Sequence, residues 1–290
     1  MTMKEDVNDL SPRLRGISLF SGVGGLELAL HEEVKTVAYV EREPYAQAVL
    51  IKRMHEGFLD KAPIYDDVRT FKGKSYRGVV DIVFGGFPCQ DISFAGKGKG
   101  IKEGTRSGLW FEMQRIISEI RPSLVFLENV SAITYRGLDT VTASLTEAGY
   151  DCRWIDVRAS DVGARHKRER WFCLGYYQPK QQPGRRINGK KDFSNANSWN
   201  VRSTFKTRIG ERGEWGSELF SEDRDKGFCT IWRKDPAEYS NEVESFVGRV
   251  ADGVPQGMDR LKCLGNAVVP QQGRLAWRIL TNDILPNKSP

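Results

Sequence analysis

The stretch Arg15-Gly16-Ile17-Ser18-Leu19-Phe20-Ser21-Gly22-Val23-Gly24-Gly25-Leu26-Glu27-Leu28-Ala29-Leu30 decides the fold. Arg15 to Phe20 reads as a strand and Gly24 to Leu30 as the start of a helix, joined by a glycine turn. Glycines there let the backbone approach a ligand closely, and a helix N-terminus favours polar or anionic groups. The dinucleotide fingerprint G-x-G-x-x-G would need glycine at position 27, where Glu27 stands. An acidic side chain facing a pyrophosphate is unfavourable, so a dinucleotide is not expected. An ordinary tight turn between strand and helix would account for the same glycines.

Working outward, the alternation continues. Thr36 to Glu41 reads as the second strand and Pro44 to Met54 as a helix with proline in its first turn. Asp81 to Phe84 is a short buried strand, and Gly108 to Ile120 a helix with Leu109, Met113, Ile116, Ile117 and Ile120 at helical spacing. Ser123 to Leu127 is a strand, Leu138 to Ala148 a helix stopped by Gly149, and Tyr150 to Val157 with Arg170 to Leu174 a last strand pair. This rhythm predicts an α/β fold, a doubly wound, mostly parallel, Rossmann-like sheet. Periodicity is lost from Tyr176 and returns near Arg249. The expected organisation is a catalytic and cofactor-binding domain over 1–175, a small irregular domain over 176–248, and a return over 249–290 ending in a helix.

The chain has 290 residues, a net charge of +6 and a pI of about 9.0, which suits a polyanionic partner. No run of 18 apolar residues is present, so no membrane span is expected, and Met1 to Asp6 lack the apolar stretch of a signal peptide. Cys89, Cys152, Cys173, Cys229 and Cys263 form no Cys-x-x-Cys pair. That argues for a reducing, cytoplasmic setting and against disulfides or zinc. His31, His55 and His166 have no metal-ligand spacing, so no metal is expected.

Glu41 stands at the end of the second strand, 19 residues after Gly22, where a carboxylate can accept both hydroxyls of a ribose. Asp67 follows a third short segment and can accept from an adenine amino group. A nucleoside without phosphates fits this set better than a dinucleotide, and S-adenosyl-L-methionine is such a cofactor. A turn with a solvated acid beside it is the plainer alternative.

Asp81-Ile82-Val83-Phe84-Gly85-Gly86-Phe87-Pro88-Cys89-Gln90 places a cysteine just past a strand that ends in glycines. An exposed, fixed cysteine at the carboxyl edge of the sheet suits a nucleophilic thiolate, although a small residue fitting a turn would look the same. Glu128 ends the next strand and lies at the same edge. Thiolate and carboxyl together suit addition to an electron-poor double bond such as C5–C6 of cytosine, with the acid serving N3. In Arg165-His166-Lys167-Arg168-Glu169-Arg170, strand alternation puts Arg168 and Arg170 on one face with His166, able to hold a carbonyl or a phosphate, although taken alone the stretch reads more simply as a solvated charge run. The loop Ala95-Gly96-Lys97-Gly98-Lys99-Gly100 reads as a basic lid over a phosphate backbone, or as a plain surface loop.

Taken together, these residues resemble the DNA (cytosine-5)-methyltransferases. Phe20 to Gly25 is similar to the family's first motif, Glu41 to the second and Asp67 to the third. Gly85 to Gln90 resembles the catalytic motif, Arg106 to Phe111 the fifth, and Glu128-Asn129-Val130 the sixth. Gly163 to Arg170 resembles the eighth and Gly265 to Pro270 the tenth, in the unpermuted order. The resemblance covers 14–175 and 247–280. Two positions depart from the pattern. His166 stands where glutamine is frequent, and Arg42 where an aromatic residue packs on adenine.

The resemblance implies transfer of a methyl group from S-adenosyl-L-methionine to C5 of a flipped-out cytosine in a specific duplex DNA sequence. It implies Cys89 as nucleophile at C6, Glu128 at N3, and Arg168 and Arg170 on the cytosine carbonyl and on Glu128. Phe20, Ser21, Gly22, Gly24, Gly25, Glu41, Asp67, Leu109 and Asn266 are the implied cofactor contacts. Gln90, Ser93, Lys97 and Lys99 are the implied contacts of a loop that closes over DNA. The segment 176–248 would be the target recognition domain. A monomer is expected, from a bacterial restriction-modification system with a separate endonuclease or from a stand-alone phage enzyme. Methylation of tRNA, and DNA binding without catalysis, are the competing readings; Cys89 and Glu128 count against the second.

Overall fold

The computed structural model describes residues 13–88, 108–177, 267–282 and 284–285. They form a seven-stranded sheet flanked on both faces by helices. In chain order the elements are β1 (Leu14–Leu19), α1 (Gly25–Leu30), β2 (Val34–Val40), α2 (Pro44–His55), β3 (Ile64–Tyr65), β4 (Ile82–Gly86) and α3 (Leu109–Ile120). There follow β5 (Leu124–Val130), α4 (Ile133–Arg136), α5 (Leu138–Glu147), β6 (Tyr150–Arg158), β7 (Glu169–Tyr177) and α6 (Pro270–Thr281).

The sheet order is β3-β2-β1-β4-β5-β7-β6. β1 to β5 pair in parallel, whereas β7 pairs antiparallel with both β5 and β6. The chain winds from β1 to β2 and β3 on one side, then returns to β4 on the other. The carboxyl ends of β1 and β4 therefore flank the switch point where open α/β sheets bind ligands. The doubly wound, mostly parallel sheet expected from the sequence is the one found. The strand pair at the end is longer than expected, and β7 inserts between β5 and β6.

Alternation along the strands builds two cores. Ile17, Leu19, Val83, Val125, Leu127, Trp171 and Cys173 pack under α3 and α5. Ile82, Phe84, Leu124, Phe126, Phe172 and Leu174 pack under α1 and α6, with Trp277 edge-on to Phe126 at 5.3 Å. Each such fully buried large side chain contributes about 2 kcal/mol of apolar burial. On α3 the buried stripe is Trp110, Met113, Ile116, Ile117 and Ile120. Trp110 takes the inward position expected of Leu109, which is half-buried at the rim. The indole reaches Ser144 Oγ at 3.3 Å, which satisfies its one polar atom.

The second face carries Glu128 and Arg170. By the same parity Gly86, Glu128 and Arg170 continue the rows Ile82-Phe84, Leu124-Phe126 and Phe172-Leu174 toward the sheet's carboxyl edge, on the α1 and α6 side. Residues 178–266, with most of the expected recognition domain, lie outside the described residues. Among the described residues no helix is long and apolar enough to cross a membrane, and no cluster of His, Cys, Asp and Glu could hold a metal ion.

Candidate active site

The joint between β1 and α1 is a run of left-handed residues: Phe20 at φ 55°, Gly22 at 56° and Gly24 at 86°. Glycine takes this conformation freely, whereas Phe20 stores about 1 kcal/mol or more of strain. The surroundings impose it. Gly22 N donates to Glu41 Oε2 at 2.7 Å, and Arg53 Nη1 donates to Val23 O at 2.5 Å. Glu41 follows β2 rather than ending it, and its other oxygen accepts from Glu43 N at 2.8 Å. Each carboxylate oxygen keeps a lone pair for a ligand hydroxyl. A Cβ at Gly22 would meet nothing within 4 Å among the described residues, so the loop faces open space there. A Cβ at Gly25 would come within 2.8 Å of Val268 O, which places the segment entering α6 against the loop.

Asp67 lies just past β3, accepts from Arg69 N at 2.9 Å and stands 3.6 Å from Arg69 Nε. Leu109 opens α3, and Arg42 is exposed beside Glu41. Phe20, Gly22, Glu41, Asp67 and Leu109 thus come from the carboxyl ends of β1, β2 and β3 and the start of α3.

Glu27 corrects the sequence reading. It does not face a ligand phosphate but turns inward from α1, 3% exposed, with Ser18 Oγ donating to its Oε1 at 2.5 Å and Ser21 Oγ 2.8 Å from Ser18 Oγ. Burial pushes its carboxyl up to about 7. Position 27 lies on the side of α1 turned toward β1, where the fingerprint's third glycine serves close helix–strand packing, so the departure concerns that packing and not a phosphate contact.

The strand expected over Ser123 to Leu127 runs on to Val130, so Glu128 sits within β5, paired to Gly86 of β4 and Phe172 of β7. Its carboxylate lies directly over Gly86: a Cβ there would overlap Glu128 Oε2. Arg170 Nε stands 2.9 Å from Glu128 Oε1, an ion pair without hydrogen-bond alignment, with side chains 12% and 13% exposed respectively. Burial raises the Glu128 carboxyl above its ordinary range, opposed by Arg170 and then by Arg168. Arg168 lies just before β7 and donates from Nη2 to Ala267 O at 2.6 Å. Of the two arginines, Arg170 pairs with the Glu128 carboxyl directly, and the Arg168 guanidinium is engaged by Ala267 O. The alternation expected from His166 to Arg170 is absent, because 165–166 form a bend, β7 starts only at Glu169, and His166 is exposed.

Cys89, Gln90, Ser93, Lys97, Lys99 and Asn266 lie outside the described residues. The approach to Cys89 is visible through Phe87 and Pro88. Phe87 is buried against Trp110, and its carbonyl accepts from Asn129 Nδ2 at 3.1 Å. Asn129 went without a role in the sequence reading, as did Arg115 and Gln272. Arg115 donates to Val68 O at 2.9 Å and Phe71 O at 3.2 Å, bracing the chain after Asp67, and pairs with Glu112 and Glu119. Acids three and four residues from Arg115 on α3 were a visible signal for that brace. The other two act on backbone atoms distant in sequence and leave no local pattern.

A buried acid whose carboxyl is raised by burial, an arginine paired to it and a cysteine three residues past its glycine partner can protonate one atom of a planar ring while a nucleophile adds to another. The C-5 cytosine-specific DNA methylase model matches residues 14–228. The Type II methyltransferase M.CviJI of Paramecium bursaria Chlorella virus IL3A is 36% identical over 171 residues, covering 58% of this chain and 45% of its own. The Type II methyltransferase M1.ScrFI of Lactococcus lactis subsp. cremoris is 32% identical over 211 residues, covering 70% and 49%. The chain spans about half the length of the curated relatives it matches. The solved methyltransferase EhMeth of Entamoeba histolytica superposes with a TM-score of 0.50 at 17% identity, covering 63% of this chain and 58% of that one, a likeness of fold. With the family model matching most of its length, the chain belongs to the C-5 cytosine-specific DNA methylase family.

Proposed function

We propose that the protein methylates C5 of cytosine in duplex DNA, with S-adenosyl-L-methionine as methyl donor and Cys89 as nucleophile. The observation that carries this reading is the Glu128 carboxyl, buried over Gly86 at the edge where the chain runs on to Cys89, with Arg170 against it. The open left-handed turn at Gly22 and the Glu41 carboxylate beside it fit a nucleoside cofactor that carries no phosphate. Phe20, Ser21, Gly22, Gly24, Gly25, Glu41, Asp67, Leu109 and Asn266 are the residues that would hold it. Bound there, it supplies an electrophilic methyl group on a sulfonium.

On a base turned out of the stack, the Cys89 thiolate bonds to C6 as Glu128 delivers its proton to N3, so the ring's added electron density collects at C5. Arg170 and Arg168 hold Glu128 in place, and they offer donors to the cytosine carbonyl. After C5 is methylated, loss of its proton to a base expels Cys89 and restores the C5–C6 double bond, and N3 returns its proton to Glu128. Gln90, Ser93, Lys97 and Lys99 are assigned to the DNA-facing loop, residues 176–248 to target recognition, and the protein to a monomer in the cytoplasm of a bacterium or phage-infected cell. A restriction endonuclease, where one accompanies it, acts as a separate protein.

The test is incubation of the full chain with S-adenosyl-L-methionine and unmethylated duplex DNA, with 5-methylcytosine read by mass spectrometry. Product from the parent and none from Cys89→Ser is the expected result. Substantial turnover by Cys89→Ser rejects Cys89 as the nucleophile, and product on tRNA alone rejects DNA as substrate.

A further inference from the structure

Gln272 lies in the first turn of α6 and is fully buried. Its Nε2 donates to two backbone carbonyls distant in sequence, Val157 O at 2.8 Å and Arg168 O at 2.8 Å. Two carbonyls can be served only by the amide NH₂, so the contacts themselves fix which way the amide points. Arg168 O also accepts from Ala159 N at 3.0 Å, so both lone pairs of that oxygen are engaged. The guanidinium of Arg168 meanwhile donates to Ala267 O at 2.6 Å. The segment leading into α6 therefore grips Arg168 at both ends, by its peptide plane and by its side chain.

We propose that Gln272 is a positioning residue that fixes Arg168 at the start of β7, so that Arg170, two residues on, meets Glu128. This rests on the function proposed above, since it concerns the acid assigned there to N3. Docking of α6 does not need the amide, because Ala276, Trp277 and Leu280 already bury the helix against Phe126 and its neighbours. What the amide adds is a fixed start for β7, two residues before Arg170. Glu128 faces Arg170 from β7 and Gly86 from β4, and the Arg168 charge just before β7 also opposes the rise of its carboxyl. Freeing the start of β7 loosens Arg170 against Glu128, and with it the positive charge that keeps the Glu128 carboxyl from rising further.

Gln272→Met keeps the side-chain length and removes both donors. In the full chain the expected result is a kcat reduced about tenfold with the KM for S-adenosyl-L-methionine within about twofold of the parent. The alkaline limb of the kcat profile should move to higher pH. Gln271→Met, one position along and only half-buried, is expected to behave as the parent. Unchanged kcat and pH profile in Gln272→Met would overturn the proposal. So would a loss of cofactor affinity that accounts for the whole loss of rate, since that marks Gln272 as a mere anchor of the C-terminal segment. If Gln272→Met melts below the assay temperature, the same readings are taken on Gln272→Asn, whose shorter amide cannot span both carbonyls. A parent enzyme that forms neither 5-methylcytosine nor a covalent adduct with 5-fluorocytosine DNA overturns the underlying reading as well, and is thereby distinct from an active parent with an indifferent Gln272.

Discussion

Glu128 and Arg170 face each other at 2.9 Å across β5 and β7, yet burial still holds the Glu128 carboxyl above its ordinary range. The two influences pull oppositely: loss of water favours the neutral acid, and the guanidinium favours the anion. In the proposed reaction the acid gives its proton to N3 and later recovers it, and that opposition would serve both steps.

Arg170→Met removes the stronger of the two opposing charges, so the carboxyl rises further. The alkaline decline in kcat, which follows loss of the Glu128 proton, should move to higher pH while kcat falls. Stability changes in a pH-dependent way. At pH 8.5 an unpaired buried carboxylate costs about 3 kcal/mol, and at pH 5.5 the acid is more nearly neutral and the cost shrinks. Urea denaturation at both values reads the difference. An alkaline limb displaced to lower pH contradicts the assignment of Arg170 as the charge opposing protonation.

Gly86→Ala tests the seat of the carboxylate itself. The new Cβ would overlap Glu128 Oε2, and the side chain must swing away. Gly86 lies within β4 in ordinary strand conformation, so the substitution carries no left-handed strain. The expected result is a kcat lowered about a hundredfold with cofactor affinity retained, because misplacement of a reacting group by about 1 Å costs that much. Gly22→Ala should show the reverse pattern. Its φ of 56° strains any side chain by about 1 kcal/mol, and the added methyl faces the open side of the loop. Isothermal titration with S-adenosyl-L-homocysteine, set beside turnover on DNA, separates the two patterns.

How much of this was legible in the sequence follows from range. The doubly wound, mostly parallel sheet came from local alternation of strand, glycine turn and helix, which is a short-range signal. Glu128, Arg168 and Arg170 were legible because a known motif pattern carried them together. The inward turn of Glu27 was not, since one glutamate after a glycine pair reads alike whether it faces a ligand or β1. Leu109 and Trp110 exchange places for a similar reason: both fit an apolar helix start, and only the packing of Phe87 and Ser144 selects the indole. Gln272 left no trace because its partners stand 115 and 104 residues away. The insertion of β7 between β5 and β6 is likewise a matter of pairing, on which strand composition is silent.

Asn129 ties two of these elements together. It is 2% exposed, its Nδ2 donates to Phe87 O and its Oδ1 accepts from Val130 N at 2.8 Å. Asn129→Leu leaves the Phe87 carbonyl without this donor, at a cost of about 1–3 kcal/mol, and unties the backbone two residues before Cys89. Thermal melting should register the loss of stability. Adduct formation with 5-fluorocytosine DNA should slow by more than global unfolding accounts for. Equal adduct rates in parent and variant at a temperature where both are folded would remove Asn129 from the placement of Cys89.

Glu27 gives the clearest test of pH-dependent stability. Its carboxyl titrates near 7 in the folded protein against an ordinary 4.5, and burial is the leading cause, with the Glu41 charge adding to it. The folded state therefore holds the proton more tightly than the unfolded chain. Its stabilising effect is complete below about pH 4.5, declines as pH rises, and is gone above about 7. A shift of this size corresponds to roughly 3 kcal/mol. Glu27→Gln keeps an oxygen for the Ser18 hydroxyl and cannot ionise. The variant should match the parent near pH 5 and exceed it by a few kcal/mol at pH 8.5, so that its stability curve is flatter by that amount. Urea midpoints at pH 5, 7 and 8.5 measure the two curves. Curves that run parallel across that range would falsify the placement of Glu27 as a buried acid that ionises only at a cost.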